Sequence, residues 1–397
     1  MSRIFERSAA TPVSAPGSLV LGPVDLAITE QNSIAARLRA ELGAAGETAD
    51  LVIAPGARHL RLGRTIAAQS GSRGLLKFSA AETDNGLALS IGTKLGFDLY
   101  RVRLSGDPYS SESVICEVDV PVARDGLDAV TRPFTKLITR DYSSVIDVIA
   151  KNILYEIVDP LLWCRLLNHG ATLAHAAAAQ TPDGAGILIF GTGGVGKSTT
   201  VLSLVRDLGW RYIADDLVIL AGGQIVRYPK HLQVYAYNVD LVQGLEAELL
   251  QNRPALDRFL FRLRRAVLGP KHARRRIPAA TLFGQDSVSD RAPLAAATLL
   301  IGTDSSSSLK TERVSHEQLA QLAAATVVDE FWDFSRLLNG LATIGAGHPS
   351  VGDLFHRTRE IIMEQLAGTP TYVIQVPART PGTVIGAQLE KVAKGLA

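Results

Sequence analysis

Residues 186–200 read GILIFGTGGVGKSTT, and few folds accept that order of an apolar run, a glycine-rich turn and a lysine-led polar run. GILIF has the length and branching of a buried strand. KSTTVLSLVRDLG (197–209) reads as a helix closed by Gly209. Between them Gly191, Gly196, Lys197 and Ser198 fit the spacing G-x-x-x-x-G-K-[ST], with further glycines at 193 and 194. Glycines there let successive backbone N–H groups turn inward around phosphate oxygens without a Cβ in the way. The helix that follows aims its positive end at the same anion. Lys197 then reaches the β- and γ-phosphates of a nucleoside triphosphate, and the Ser198 hydroxyl suits Mg²⁺. The candidate nucleotide residues are therefore Gly191, Thr192, Gly193, Gly194, Val195, Gly196, Lys197, Ser198 and Thr199. A bare glycine turn at a helix start is the bland alternative, and the flanking strand and helix argue against it.

Elements around the loop complete an α/β unit. TLAHAAAAQ (172–180) reads as a strand, PDG as a turn, RYIADDLVIL (211–220) as a strand, AGGQ as a turn and IVRYP as a strand. The tail alternates LAAATLLIG (strand), HEQLAQLAAATV and VGDLFHRTREIIMEQLAG (helices), TYVIQVP (strand) and GAQLEKVAKGL (helix). Such an order implies a sheet with a phosphate crevice at its strand ends. Upstream, LALSIGT (87–93), FDLYRVRLSG (97–106) and SVICEVDVPV (113–122) read as strands, interrupted by one helix at SIAARLRAEL. The stretch 143–170 is helical, capped by Ser143 or Ser144, restarted at Pro160 and closed by Gly170. These boundaries predict a loose terminus at 1–17, a strand-rich α+β domain at 18–140 and a phosphate-loop domain at 141–397.

Downstream of the loop, Asp215 and Asp216 end an apolar strand. Adjacent carboxylates are costly to keep ionised unless a cation or proton offsets them. One can serve Mg²⁺ while the other accepts the proton of an attacking hydroxyl; a turn or capping pair is the alternative. His175 lies mid-strand, where a lone His is more often a satisfied core residue. LAGGQIV (220–226) resembles a transporter signature, but it follows the acidic strand and precedes another, so it reads as a Gly-Gly hairpin. No NKxD, Ser/His/Asp elbow or HExxH occurs. RFLFRLRRAVLGPKHARRRIP (258–278) is rich in arginine and holds no acid. It is either a solvated helical face or a basic lip for phosphates or an acidic substrate. SSSS (305–308) reads as a loop.

Length matters here because 397 residues allow two domains, and 47% hydrophobic with 20% charged residues is ordinary for a globular chain. A net charge of +2 demands no nucleic acid and no membrane as partner. Cys116 and Cys164 have no CxxC spacing and read as free thiols of a reducing, cytoplasmic setting. Arg3 and Arg7 precede a proline-broken stretch rather than a signal core, and no apolar run reaches the roughly 18 residues of a membrane span.

LAHAAAAQTPDGAGILIFGTGGVGKSTTVLSLVRDLGWRYIADDLVIL (173–220) resembles the catalytic core of HPr kinase/phosphorylase and its relatives, whose fold is related to phosphoenolpyruvate carboxykinase. The resemblance is specific over about 50 residues, extends to roughly 140–397 and leaves the N-terminal half uncovered. It implies an ATP- and Mg²⁺-dependent kinase. Residues 191–199 would hold the nucleotide, and Lys197 would act on its phosphates. Ser198 and Asp216 would serve the metal, Asp215 would be the base, and His175 would stand near the transferred group. The division of roles between Asp215 and Asp216 stays open. The docking loop of the family for its carrier protein has no match here. The acceptor is then a hydroxyl of a peptide, a protein or a small molecule, and a homo-oligomer is compatible with all of this. An NTP-binding regulatory protein or an ATPase without a hydroxyl acceptor is the alternative.

Overall fold

A computed structural model describes residues 19–29, 32–43, 49–55, 67–70, 76–83, 86–93, 98–106, 108–109, 113–120, 145–242, 244–304, 308–343, 349–378 and 380–395. The predicted loose terminus 1–17, the caps Ser143 and Ser144, and most of the SSSS run lie outside them. The fold is mixed α/β and divides into two compact units, each assembled from three stretches of chain: 1–133, 144–173 and 327–361 in one, 134–143, 174–326 and 362–397 in the other.

In the first unit an eight-stranded sheet runs β1 (Leu19–Leu21), β2 (Val24–Ile28), β3 (Leu51–Pro55), β8 (Val114–Asp119), β7 (Asp98–Ser105), β6 (Gly86–Thr93), β5 (Leu76–Thr83), β4 (Ala67–Ser70) in spatial order. The pairs β2–β3 and β3–β8 are parallel, and the β5–β6–β7–β8 meander is antiparallel. Helix α1 (Ser33–Leu42) starts at Asn32, whose side chain accepts the N–H groups of Ile34 and Ala35. Helix α2 (Val145–Ile153) passes through a π-turn at Leu154–Val158 into α3 (Asp159–Asn168), with Pro160 in its first turn as the sequence predicts. Arg37 of α1 pairs with Asp147 of α2 at 2.8 Å. Cys116 and Cys164 are buried free thiols, and Cys164 Sγ donates to the Tyr109 hydroxyl at 3.4 Å.

The second unit carries the glycine-rich loop. After β9 (Thr172–Ala174) come β10 (Ala176–Gln180), β11 (Gly186–Gly191), α4 (Lys197–Leu208), β12 (Arg211–Ala214), β13 (Val218–Ala221), β14 (Gln224–Arg227) and β15 (Leu232–Tyr235). Three helices, α5 (Ala236–Leu241), α6 (Leu245–Leu250) and α7 (Ala255–Leu268), lead to β16 (Arg274–Ile277), α8 (Ala279–Phe283), β17 (Arg291–Thr303) and β18 (Lys310–Arg313). Along the chain follow α9 (His316–Glu330), α10 (Trp332–Thr343) and α11 (Val351–Gln365), of which α10 and most of α11 belong to the first unit, and then β19 (Thr371–Pro377) and α12 (Gly382–Ala393) of the second. The division between units falls inside α9 and α11.

Strand β11 lies between antiparallel β10 and parallel β17, and β17 is followed by parallel β19. Every residue of β11 is buried, which explains its unbroken apolar run. Ile187 and Ile189 share one core cluster with Val201, Leu204 and Val205 of α4 and with Ile385, Leu389 and Val392 of α12. Each such side chain contributes about 1.5–3 kcal/mol on burial, so the loop leaves a rigid platform. The hairpin β13–β14 turns at Gly222 and Gly223, both with positive φ, as the Gly-Gly reading expects.

Two predicted strands are broken in the structure. The 172–180 strand is interrupted at His175, between β9 and β10. The 211–220 strand ends at Ala214 and resumes at Val218, because Asp216 takes φ +82, a left-handed conformation that no strand continues through. Helices α5, α6, α8 and α10 and strands β15, β16 and β18 have no counterpart among the elements expected from sequence.

Candidate active site

Lys197, Ser198, Asp215 and Asp216 meet at the end of β11. The backbone makes the meeting possible: β11 and β12 both flank β10, so the loop after β11 and the break after β12 sit at one edge of the sheet. At Gly191 a Cβ would come within 2.8 Å of Val195 Cγ1 and 2.9 Å of the Leu300 carbonyl, so only glycine lets the loop turn back here. Gly196, with φ +105, caps α4 and leaves the first N–H groups of that helix facing the crevice.

Lys197 is buried, and its Nζ donates to the carbonyl oxygens of Gly191 and Thr192. Ser198 Oγ donates to Asp215 Oδ1 at 3.0 Å. Burial, then the charge of adjacent Asp216, push the Asp215 carboxyl up to about 6; the Ser198 hydrogen bond and the charges of Lys197 and His175 pull it back. At neutral pH Asp215 is thus an ionised carboxylate with the affinity for protons of a usable base. Asp216 holds the only positive φ of a non-glycine residue among the described residues. Strain of this kind persists where surrounding structure over-determines it, and it concentrates at functional sites.

These residues line a cavity of about 410 Å³. All nine of 191–199 except Gly191 face it, as do His175, Asp215 and Asp216, so the expected set converges on one place. Thr199 is held differently from its neighbours: its buried hydroxyl accepts from Asn238 Nδ2 at 2.9 Å.

Sequence reasoning missed the opposite wall. Gln233, Tyr235, Tyr237 and Asn238 line the cavity from β15 and α5, and Val376, Pro377, Ala378 and Thr380 line it from the end of β19. Asn238 is fully buried, and its Oδ1 accepts the Tyr235 N–H at 2.9 Å, so one side chain ties this wall to α4. The Tyr235 and Tyr237 rings stack at 5.1 Å and 13°. Burial, Tyr235 and Asp215 push the Tyr237 hydroxyl up to about 12, against the pull of Arg274. Arg274 comes from the basic stretch: it bonds Gln233 Oε1, donates to the Tyr235 hydroxyl at 3.0 Å and lies over the Tyr235 ring. The composition LQVYAYN (232–238), with its amide and phenol groups beside a short hairpin, was the available signal.

The oxygen donors fit a hard divalent cation. The Ser198 hydroxyl and the Asp215 and Asp216 carboxylates all line the cavity and are oxygen donors of the kind Mg²⁺ takes, and an Asp216 oxygen lies within 4.8 Å of a His175 ring nitrogen.

No protein-family model matches the chain, and no curated protein matches it in sequence. Among solved structures it is similar to the Hpr(Ser) kinase/phosphatase from Coxiella burnetii, at 14% identity over 57% of this chain and 98% of that one, with a TM-score of 0.27. So loose a superposition carries no argument, and function has to be read from the residues of the site. No helix among the described residues is long and apolar enough to cross a membrane.

Proposed function

We propose that the second unit is a kinase of the HPr kinase/phosphorylase type, which binds ATP with Mg²⁺ and passes the γ-phosphoryl group to a hydroxyl of a peptide, protein or small molecule. The observation that carries this reading is the contact of Ser198 with Asp215 beside Lys197, at 3.0 Å, in a carboxylate pair whose first member is held up at about 6. A raised carboxylate suits removal of a proton from an acceptor hydroxyl or from water, and the labelling experiment below separates the two.

In this reading the N–H groups of the loop and the start of α4 bind the phosphates. Lys197 leaves its loop carbonyls for the β/γ oxygens and offsets the charge that develops there. Ser198 and Asp216 hold Mg²⁺, which when bound neutralises phosphate charge and keeps the triphosphate in one pose. Asp215 orients the acceptor hydroxyl and takes its proton as the new oxygen–phosphorus bond forms and ADP departs. His175, whose charge acts on Asp215, stands at the edge of the transferred group. The test is incubation with γ-labelled ATP and cell extract, followed by identification of the labelled molecule. Label in a hydroxyl-bearing acceptor supports the reading; free phosphate as sole product overturns it in favour of an ATPase.

A further inference from the structure

Helix α7 shows solvent a face that its own fold does not explain. Leu256, Phe259, Leu263 and Val267 are 58%, 59%, 43% and 69% exposed, and their spacing of three, four and four residues sets them in one stripe along the helix. Leu268, at 58%, extends the patch at the C-terminal end. The core does not lack a helical face, because the other side of α7 already supplies one: Leu260 and Phe261 are buried, and Arg275 lies over the Phe261 ring while it pairs with Asp257. Contiguous exposed apolar side chains of this size mark a surface that is covered in use.

Charge says what covers it. Arg265, Arg258 and Arg262 lie along one edge of the stripe by helical geometry, and exposed Lys271 and His272 follow just beyond Gly269. The acids of this edge are already engaged: Glu246 binds Arg262 at 2.7 Å and Arg265 at 3.0 Å, and Asp240 binds Arg265. Arg258, Lys271 and His272 have no ion pair among the described residues. A second copy of the same face would bring cations against cations. A protein partner would need both an apolar groove and a carboxylate rim in register. An anionic bilayer surface offers both at once, since its headgroup layer is negative and the acyl boundary beneath it is apolar.

We infer that α7 docks the chain on anionic lipid, with Leu256, Phe259, Leu263 and Val267 entering the headgroup boundary and Arg258, Lys271 and His272 meeting lipid phosphates. This departs from the expectation that no membrane takes part, and it stands independently of phosphoryl transfer. The test is co-sedimentation of the full chain with vesicles of phosphatidylcholine alone and of phosphatidylcholine rich in phosphatidylserine. Binding is expected to the second kind only, and to weaken with salt. Phe259→Asp is expected to lower it at least tenfold, and Arg258→Gln about fivefold. Both positions are exposed, so circular dichroism and nucleotide turnover are expected to stay at wild-type values. Failure to bind phosphatidylserine vesicles at low salt overturns the inference. So does binding that Phe259→Asp leaves unchanged. Binding to poly-glutamate without binding to vesicles points to an acidic protein instead. A dimer abolished by Phe259→Asp, again without vesicle binding, points to a second copy.

Discussion

The glycine-loop crevice and helix α7 both concentrate charge, and they dispose of it in opposite ways. Around α7 three cations are met by acids, Arg262 and Arg265 by Glu246 and Arg275 by Asp257, while Arg258, Lys271 and His272 face solvent. At the crevice, like charges stand side by side, Asp215 next to Asp216, with the backbone of Asp216 held at φ +82. The first arrangement leaves the energy of the folded chain close to balance, since burial of Arg275 offsets what its pairing with Asp257 gains. The second raises it, and is relieved by a proton or a cation. Expense without a structural return is what separates the crevice from the merely charged surface, and substitutions at the two places are expected to act on different observables.

The largest effect is expected from Lys197→Ala. The side chain is buried against the loop carbonyls, and in the proposed reading it offsets phosphate charge, so turnover of ATP should fall about 10³-fold or more. Far-ultraviolet circular dichroism should be unchanged. A variant with near wild-type turnover would show that the crevice does not act on the triphosphate.

Asp215→Asn is expected to lower phosphoryl transfer by roughly 10²–10⁴-fold while nucleotide remains bound. The same change should stabilise the fold. The Asp215 carboxyl titrates near 6 in the folded chain against 3.8 for an unperturbed aspartate, so the folded state binds the proton more tightly between those values. Stability therefore falls as pH rises through that window, and Asn removes the loss, a gain on the order of 3 kcal/mol at neutral pH. Urea unfolding at pH 4 and pH 7 reads it. For the wild-type enzyme, kcat/KM for the acceptor should drop at acid pH as the base is protonated, and bound Mg²⁺ should carry that drop below 6 because a cation beside Asp215 favours its ionised form.

For the ion pairs of α7 the expected losses are in stability alone. Arg275 and Asp257 are 1% and 3% exposed at their side chains. Asp257→Ala strands a buried guanidinium and should cost about 3–5 kcal/mol in urea unfolding. ATP turnover at a temperature where the variant is folded should be unaffected. If turnover falls with stability retained, the basic segment belongs to the site after all.

How much of this was legible in the chain follows the range of the interactions involved. The loop, the hairpin at Gly222–Gly223 and the acid pair are local, and spacing alone finds them. The wall of Gln233, Tyr235 and Asn238 is tied to the loop by the bond from Asn238 to Thr199, 39 residues apart, which no periodicity announces. The break at Asp216 was hidden because aspartate tolerates a left-handed backbone without a sequence mark. On α7 the chain shows leucine and phenylalanine on both sides, and only packing reveals that Leu260 and Phe261 go in while Leu256 and Phe259 stay out.

The smallest effect sharpens the comparison most, because it asks whether a visible ion pair matters. Arg262 Nε lies 2.7 Å from Glu246 Oε1, with the two side chains 63% and 28% exposed. Solvent screens such a pair, and holding two long side chains in register costs rotamer entropy. A double-mutant cycle with Arg262→Ala and Glu246→Ala should give a coupling of about 0.2–1 kcal/mol, shrinking as salt is raised. Glu246 also binds Arg265, so Glu246→Ala should lose more than Arg262→Ala. A coupling above that range would mean the α7 edge is drier than its exposure indicates. The contrast with the crevice would then have to rest on the acid pair alone.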